Sequence, residues 1–301
     1  VFSLKGGVGK TTLTYFLGRA QAEASQKPVL LIDADLSGTC LGDLLADTVK
    51  WAEAPNLAHL VCGRPEALPE ALGAERLPVY VHFPFEPGVE PHRPRRLRAT
   101  LTGQAAVLFC PSHSESTGEL PIDRDVLQAL VAGESAGGWV SHVIERLSEA
   151  TAAVVGELGG ILVDHGPGMG ALQRVVRQAI AEDRQTHKAA SPRRVLLVTS
   201  RDGVDLRMCQ SFDARLDEGE AEALCWVVNR VQPGQPSTKG GWRDSVDARF
   251  RRELASWFSE RALPFYEAPE VASGYACSQL GWPLGESHRQ ALEAIRRELF
   301  G

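Results

Sequence analysis

The chain has 301 residues, 44% of them hydrophobic, and a formal charge of −6. That is enough apolar material for one large α/β domain, and the negative balance excludes a generally basic nucleic-acid coat. No apolar run approaches the roughly 20 residues of a bilayer span, and no signal sequence precedes the first glycine cluster, so a cytoplasmic protein is expected. The six cysteines, at 40, 62, 110, 209, 225 and 277, show no close pair. Reduced, buried thiols are therefore expected, without a zinc or iron–sulfur framework.

Val1 to Leu4 read as the end of a strand. The next stretch, Lys5-Gly-Gly-Val-Gly-Lys-Thr-Thr12, combines glycines, a lysine and two threonines at the spacing of a phosphate-binding loop, with Lys5 where the first glycine usually stands. Glycines allow the backbone N–H groups of residues 6 to 9 (Gly6, Gly7, Val8 and Gly9) to converge on a polyphosphate at a helix start, where the helix dipole adds to the attraction. Lys10 is expected on the β and γ phosphates, Thr11 on Mg²⁺ and Thr12 on the α phosphate. Leu13, Phe16, Leu17 and Ala20 then recur at helical spacing.

Pro28 to Asp33 is an apolar run ending in an acid, the pattern of a strand buried on both faces of a parallel sheet. Asp33 and Asp35 follow at its carboxyl end, where ligands of open α/β sheets bind. Leu41 to Leu72 alternates short helical pieces with prolines. Strands are expected at 78–83 and 105–110, separated by a proline-rich loop or hairpin that carries Arg93, Arg95, Arg96 and Arg98. That arginine cluster is a candidate arm for a polyanion such as non-specific DNA.

Helices are expected near 123–132 and at 139–158, the second closed by Gly159-Gly160. Ile161 to Asp164 is a further strand with a terminal acid, running into His165-Gly-Pro-Gly-Met-Gly170 and a helix over 171–182. Strands at 194–199 and 224–229, a turn-rich segment at 232–241 and helices at 244–262 and 284–300 complete the chain. Ala291, Leu292, Ile295, Leu299 and Phe300 form an apolar face on the last helix, expected to pack on the sheet in preference to a membrane surface. Strands alternating with helices throughout predict a doubly wound, mostly parallel sheet with helices on both faces, in a single domain over 1–301.

The glycine loop, the Asp33/Asp35 pair and the Asp164 loop together resemble the deviant-Walker-A P-loop ATPases of the ParA and MinD type. The resemblance is poorest over 73–157. It implies that Lys5 reaches the partner's phosphates across a nucleotide-sandwich homodimer formed on ATP binding. It implies that Asp35 orients the attacking water, that Asp33 and Asp164 hold Mg²⁺ in an outer shell, and that the Pro167-Gly168 turn senses the γ phosphate. Asn229 and the turn at Pro264 are implied at the adenine base. His165 departs from the pattern, which usually has threonine, serine or cysteine there. The implied function is an ATP-driven dimerisation switch acting on DNA, a protein cargo or a surface, with an unidentified protein partner. The alternative is an ATP-dependent metabolic or metal-handling enzyme on the same scaffold, made less attractive by the lack of paired cysteines.

Overall fold

The computed structural model of the chain describes residues 1–35, 41, 56–62, 77–84, 95–97, 101, 103–112, 134–168, 174, 177–178, 180–181, 194–200, 203–216, 220–221, 224–231, 252–253, 256–257, 265–269 and 286–301. Their elements are α1 (Lys10–Ser25), β1 (Pro28–Ala34), α2 (Leu57–Cys62), β2 (Tyr80–Pro84), β3 (Arg95–Arg96), β4 (Ala106–Cys110), α3 (Glu134–Val155), β5 (Gly160–His165), β6 (Val195–Thr199), α4 (Gly203–Asp213), β7 (Leu224–Val231), β8 (Phe265–Pro269) and α5 (Glu286–Phe300).

Five strands lie in the order β3-β2-β4-β1-β5 and three in the order β6-β7-β8. Residues 1–3 join the two groups. Phe2 pairs in parallel with Leu197 and Ser3 with Pro167, and the His165 N–H donates to the Val1 carbonyl at 3.0 Å while the Val198 N–H donates to that of Phe2 at 2.9 Å. The short first segment is thus the centre of the sheet, and the glycine loop leaves from its carboxyl end.

β1 pairs in parallel with β4 and β5, and β7 with β6 and β8. The expectation of a mostly parallel sheet holds, with one antiparallel edge: β2 runs against both β4 and β3. Arg95–Arg96 of β3 pair back onto Tyr80 and Val81 of β2, and antiparallel neighbours need no helical crossover. Arg93 and Arg98 lie outside the described residues. Arg95 and Arg96 are described only as backbone of β3.

Alternation along the strands divides the core between the faces. Val29 and Leu31 of β1 join Leu13, Phe16 and Leu17 of α1 and Leu292 and Ile295 of α5 on one side. Leu30 and Ile32 join Leu108 and the α3 residues Val143 and Leu147 on the other. A third cluster sets Phe2, Leu197 and Trp226 against Cys209 and Phe212 of α4. Helices therefore cover both faces, which is why the central strands read as unbroken apolar runs.

Several boundaries shift by one or two residues from expectation, and those of one helix by more. The helix read as 139–158 spans Glu134–Val155, and its stop is Gly156, at φ 88°, whose N–H caps the Ala152 carbonyl at 2.8 Å. Gly160 instead opens β5. The helices read at 123–132 and the turn-rich stretch at 232–241 lie outside the described residues, as do most of those at 171–182 and 244–262. No helix among the described residues is long and apolar enough to cross a membrane.

Candidate functional site

The site forms where β1, β5 and residues 1–4 end beside the start of α1. Gly7 and Gly9 adopt φ values of 74° and 83°, a left-handed backbone that a side chain would strain. The second places Gly9 at the N-cap of α1 with no side-chain cap, so the first helical N–H groups remain directed into the loop. Val8 between them is buried. Its carbonyl accepts a 2.8 Å hydrogen bond from Asn229 Nδ2 at the end of β7.

Lys10 is buried with its Nζ 2.8 Å from Asp164 Oδ1 and 3.4 Å from Thr11 Oγ1. Thr14, one helical turn on, donates to the Lys10 carbonyl at 3.0 Å and lies 3.3 Å from the same Asp164 oxygen. Asp164 is fully buried, and its Oδ2 has no hydrogen-bond partner among the described residues. Register aligns Asp33 of β1 with Asp164 of β5, so the two acids stand side by side on adjacent strands. Asp33 Oδ1 accepts the Asp35 N–H at 3.0 Å, and Asp35 is itself buried.

A buried carboxylate with one idle oxygen, beside a second acid and a threonine hydroxyl, suits Mg²⁺. That ion takes few protein ligands and keeps waters and phosphate oxygens for the rest. Asp33 and Asp164 stand in register, and the Thr11 hydroxyl shares the Lys10 ammonium with Asp164, which makes these three the candidates for such a set. Among the described residues, no group of three or more histidine, cysteine or acidic side chains is arranged to hold a metal ion by itself.

Lys5 lies apart from Lys10. It is 47% exposed, and its Nζ is 3.4 Å from Asp205 Oδ1 in the first turn of α4. The Ser200 hydroxyl donates to Asp205 Oδ2. Beside this pair α4 presents Val204, 57% exposed, and Met208, 40% exposed. They line an open groove with Leu4, Arg207, Phe212 and Arg215.

The second loop is anchored too. Gly168, at φ 103°, donates its N–H to the Ser3 carbonyl at 2.9 Å, so a γ-phosphate contact through that N–H requires this bond to exchange. Burial, then nearby positive charge including Lys10, pushes His165 down to about 3, leaving a neutral imidazole. Cys209 and Cys225 are pushed up to about 12 by burial, and Cys110 is raised further by the same cause. These thiols are inert core residues.

The loop residues, Asp33, Asp35, Asp164 and Lys10 thus come together, while Lys5 stands apart beside Asp205, and Thr12 is half-buried on the first turn of α1. Asn229 arrives at the loop backbone, and Pro264 lies outside the described residues. Sequence reasoning passed over Thr14 and Asp205. Each carries a usable signal: Thr14 is four residues after Lys10, and Asp205 opens a helix after a strand of the same sheet, at the end where ligands bind.

A family profile described as the CobQ/CobB/MinD/ParA nucleotide binding domain matches residues 1–240. Among solved structures the chain is similar to an ATP complex of McdA from Cyanothece, with TM-score 0.57, 15% identity and coverage of 99% of this chain and 96% of that one. It is similar to the MinD cell division protein of Aquifex aeolicus, with TM-score 0.53, 20% identity and coverage of 99% and 94%. A cobyrinic acid a,c-diamide synthase from Mycobacterium smegmatis, with bound ATP analog and magnesium, matches at TM-score 0.50 and 14% identity over 99% and 94%. At these identities the likeness is one of fold. No curated protein sequence matches the chain.

Proposed function

The chain belongs to the CobQ/CobB/MinD/ParA nucleotide-binding domain family, and from that membership we propose that it is an ATP-hydrolysing switch whose ATP-bound form is a homodimer. The family includes nucleotide-binding ATPases that position other molecules as well as synthases, and fold likeness does not choose between them. The observation that carries the switch reading is the separation of the two loop lysines. Lys10 is buried against its own chain's Asp164, while Lys5 is half-exposed on the α4 side. Two lysines so placed do not serve one nucleotide from one direction.

Lys10 and the N–H groups of the loop hold the chain's own polyphosphate. Lys5 faces outward, beside the apolar surface of Val204 and Met208, where a second copy would bring its γ phosphate within reach. The contact is charge-assisted and exists only while ATP and both chains are present, so ATP favours the dimer by linkage and ADP does not. Asp35 orients the attacking water. Magnesium, when bound with the nucleotide, supplies neutralisation of the phosphate charge, and Thr11, Asp33 and Asp164 are the residues that hold it. Adenine is preferred over guanine because Asn229-Arg-Val-Gln232 lacks the aspartate that takes two guanine N–H donors. A protein partner that distinguishes dimer from monomer completes the switch.

Light scattering with a non-hydrolysable ATP analogue tests this. Wild type is expected to dimerise at micromolar concentration, Lys5→Ala to remain a monomer while still binding nucleotide, and Lys10→Ala to lose nucleotide binding. A wild-type monomer under these conditions would leave the synthase class as the better reading.

A further inference from the structure

Gly166 sits between Asp164 and Gly168 in the loop after β5, and its backbone does not require glycine. It is absent from the positive-φ residues, in contrast to Gly168 at φ 103°. A side chain there would instead press on a neighbour. A Cβ on residue 166 would stand 2.8 Å from Asp35 Oδ1, 3.1 Å from its Cγ and 3.4 Å from Oδ2. The carboxylate of Asp35 therefore rests against the bare Cα of Gly166.

The backbone is held on both sides of the contact. The loop is pinned on both sides of residue 166, by the His165 N–H on the Val1 carbonyl at 3.0 Å and the Gly168 N–H on the Ser3 carbonyl at 2.9 Å. The Asp35 backbone is pinned by its N–H on Asp33 Oδ1 at 3.0 Å. Only 2% of Asp35 is exposed. A methyl group at 166 must then be accommodated by rotation of the Asp35 side chain, which swings the carboxylate off its present position.

We infer that Gly166 is a positioning residue for Asp35: its lack of a side chain sets where the carboxylate stands and, through that, the rate of nucleotide hydrolysis. The inference rests on the reading of Asp35 as the water-orienting acid. A displacement on the order of 1 Å at such a group is worth about 10²-fold in rate. Because the loop is bonded to residues 1 and 3, the placement of Asp35 is also referenced to the strand that leads into the glycine loop.

The test is a double-mutant cycle of wild type, Gly166→Ala, Asp35→Ala and the double variant, read by kcat, nucleotide affinity and thermal unfolding. Gly166→Ala is expected to lower kcat by about 10- to 100-fold with ATP affinity within about twofold. On the Asp35→Ala background the same change should add nothing, and should cost less thermal stability because the clash is gone. Unchanged kcat in Gly166→Ala, alongside slow turnover in Asp35→Ala, would overturn the positioning role. Equal losses on both backgrounds would overturn it as well. Wild-type turnover in Asp35→Ala would instead remove the reading of Asp35, and the role of Gly166 with it.

Discussion

Asn229 shows how a side chain read for one purpose can be held by another. Placed at the end of a strand, it was expected at an adenine base, yet its amide donates to the Val8 carbonyl within the glycine loop. A loop built of glycines has a large conformational entropy to lose on ordering, and one side-chain bond across 221 residues of sequence limits that freedom. Removing it in Asn229→Ala forfeits about 1 kcal/mol, so nucleotide affinity should fall about fivefold. The two roles separate by selectivity. Loop anchoring predicts equal losses for ATP and GTP, whereas base recognition predicts that the preference for ATP itself collapses. Competition binding of both nucleotides to the variant decides between them.

Among the elements, the last helix is the one whose sequence admitted two readings. An apolar face on a terminal helix serves a membrane as well as a core, and the structure shows Leu292 and Ile295 of α5 buried in the cluster shared with α1. Arg296 adds a 3.0 Å bond to Gln21 of α1. Ile295, with no exposed surface, leaves a cavity when truncated, and Ile295→Ala should destabilise the chain by about 2–5 kcal/mol. Chemical denaturation measures this. A loss below about 0.5 kcal/mol would contradict the packing seen here.

The same comparison shows which features the chain declared in advance. Fully buried strands announced themselves as apolar runs because both faces are covered, and the glycine loop because few other chemistries use those residues at that spacing. The β1–β5 register that sets Asp33 beside Asp164 is a pairing across 131 residues, which no local pattern encodes. Helix ends were legible only approximately, since Gly156 and Gly159 are both plausible stops and the choice is made by where β5 must begin. The carboxylate partner of Lys5 was illegible for the same reason as the register: Asp205 reaches it only through the fold.

Across the whole molecule, the sheet has its phosphate loop at the centre, with α1 and α5 on one face and the exposed edge of α4 beside Lys5. The ion pair of Lys5 with Asp205 has a consequence for assembly. On the dimer reading, Lys5 does not arrive at the partner's phosphate as a hydrated ion; it leaves one anion for another. The number of such pairs is then nearly the same before and after association, and few small ions are taken up or released. Dimerisation with ATP should accordingly respond only weakly to ionic strength, even though the contact at its centre is between unit charges. Asp205→Asn removes the resident anion while keeping the acceptor for Ser200. In that variant association should be tighter at about 0.05 M salt and should weaken more steeply towards 0.5 M, where exposed charges are screened over a few ångströms. Equal slopes for the two proteins in sedimentation equilibrium would mean that Lys5 never exchanges partners, and that its carboxylate is a permanent one.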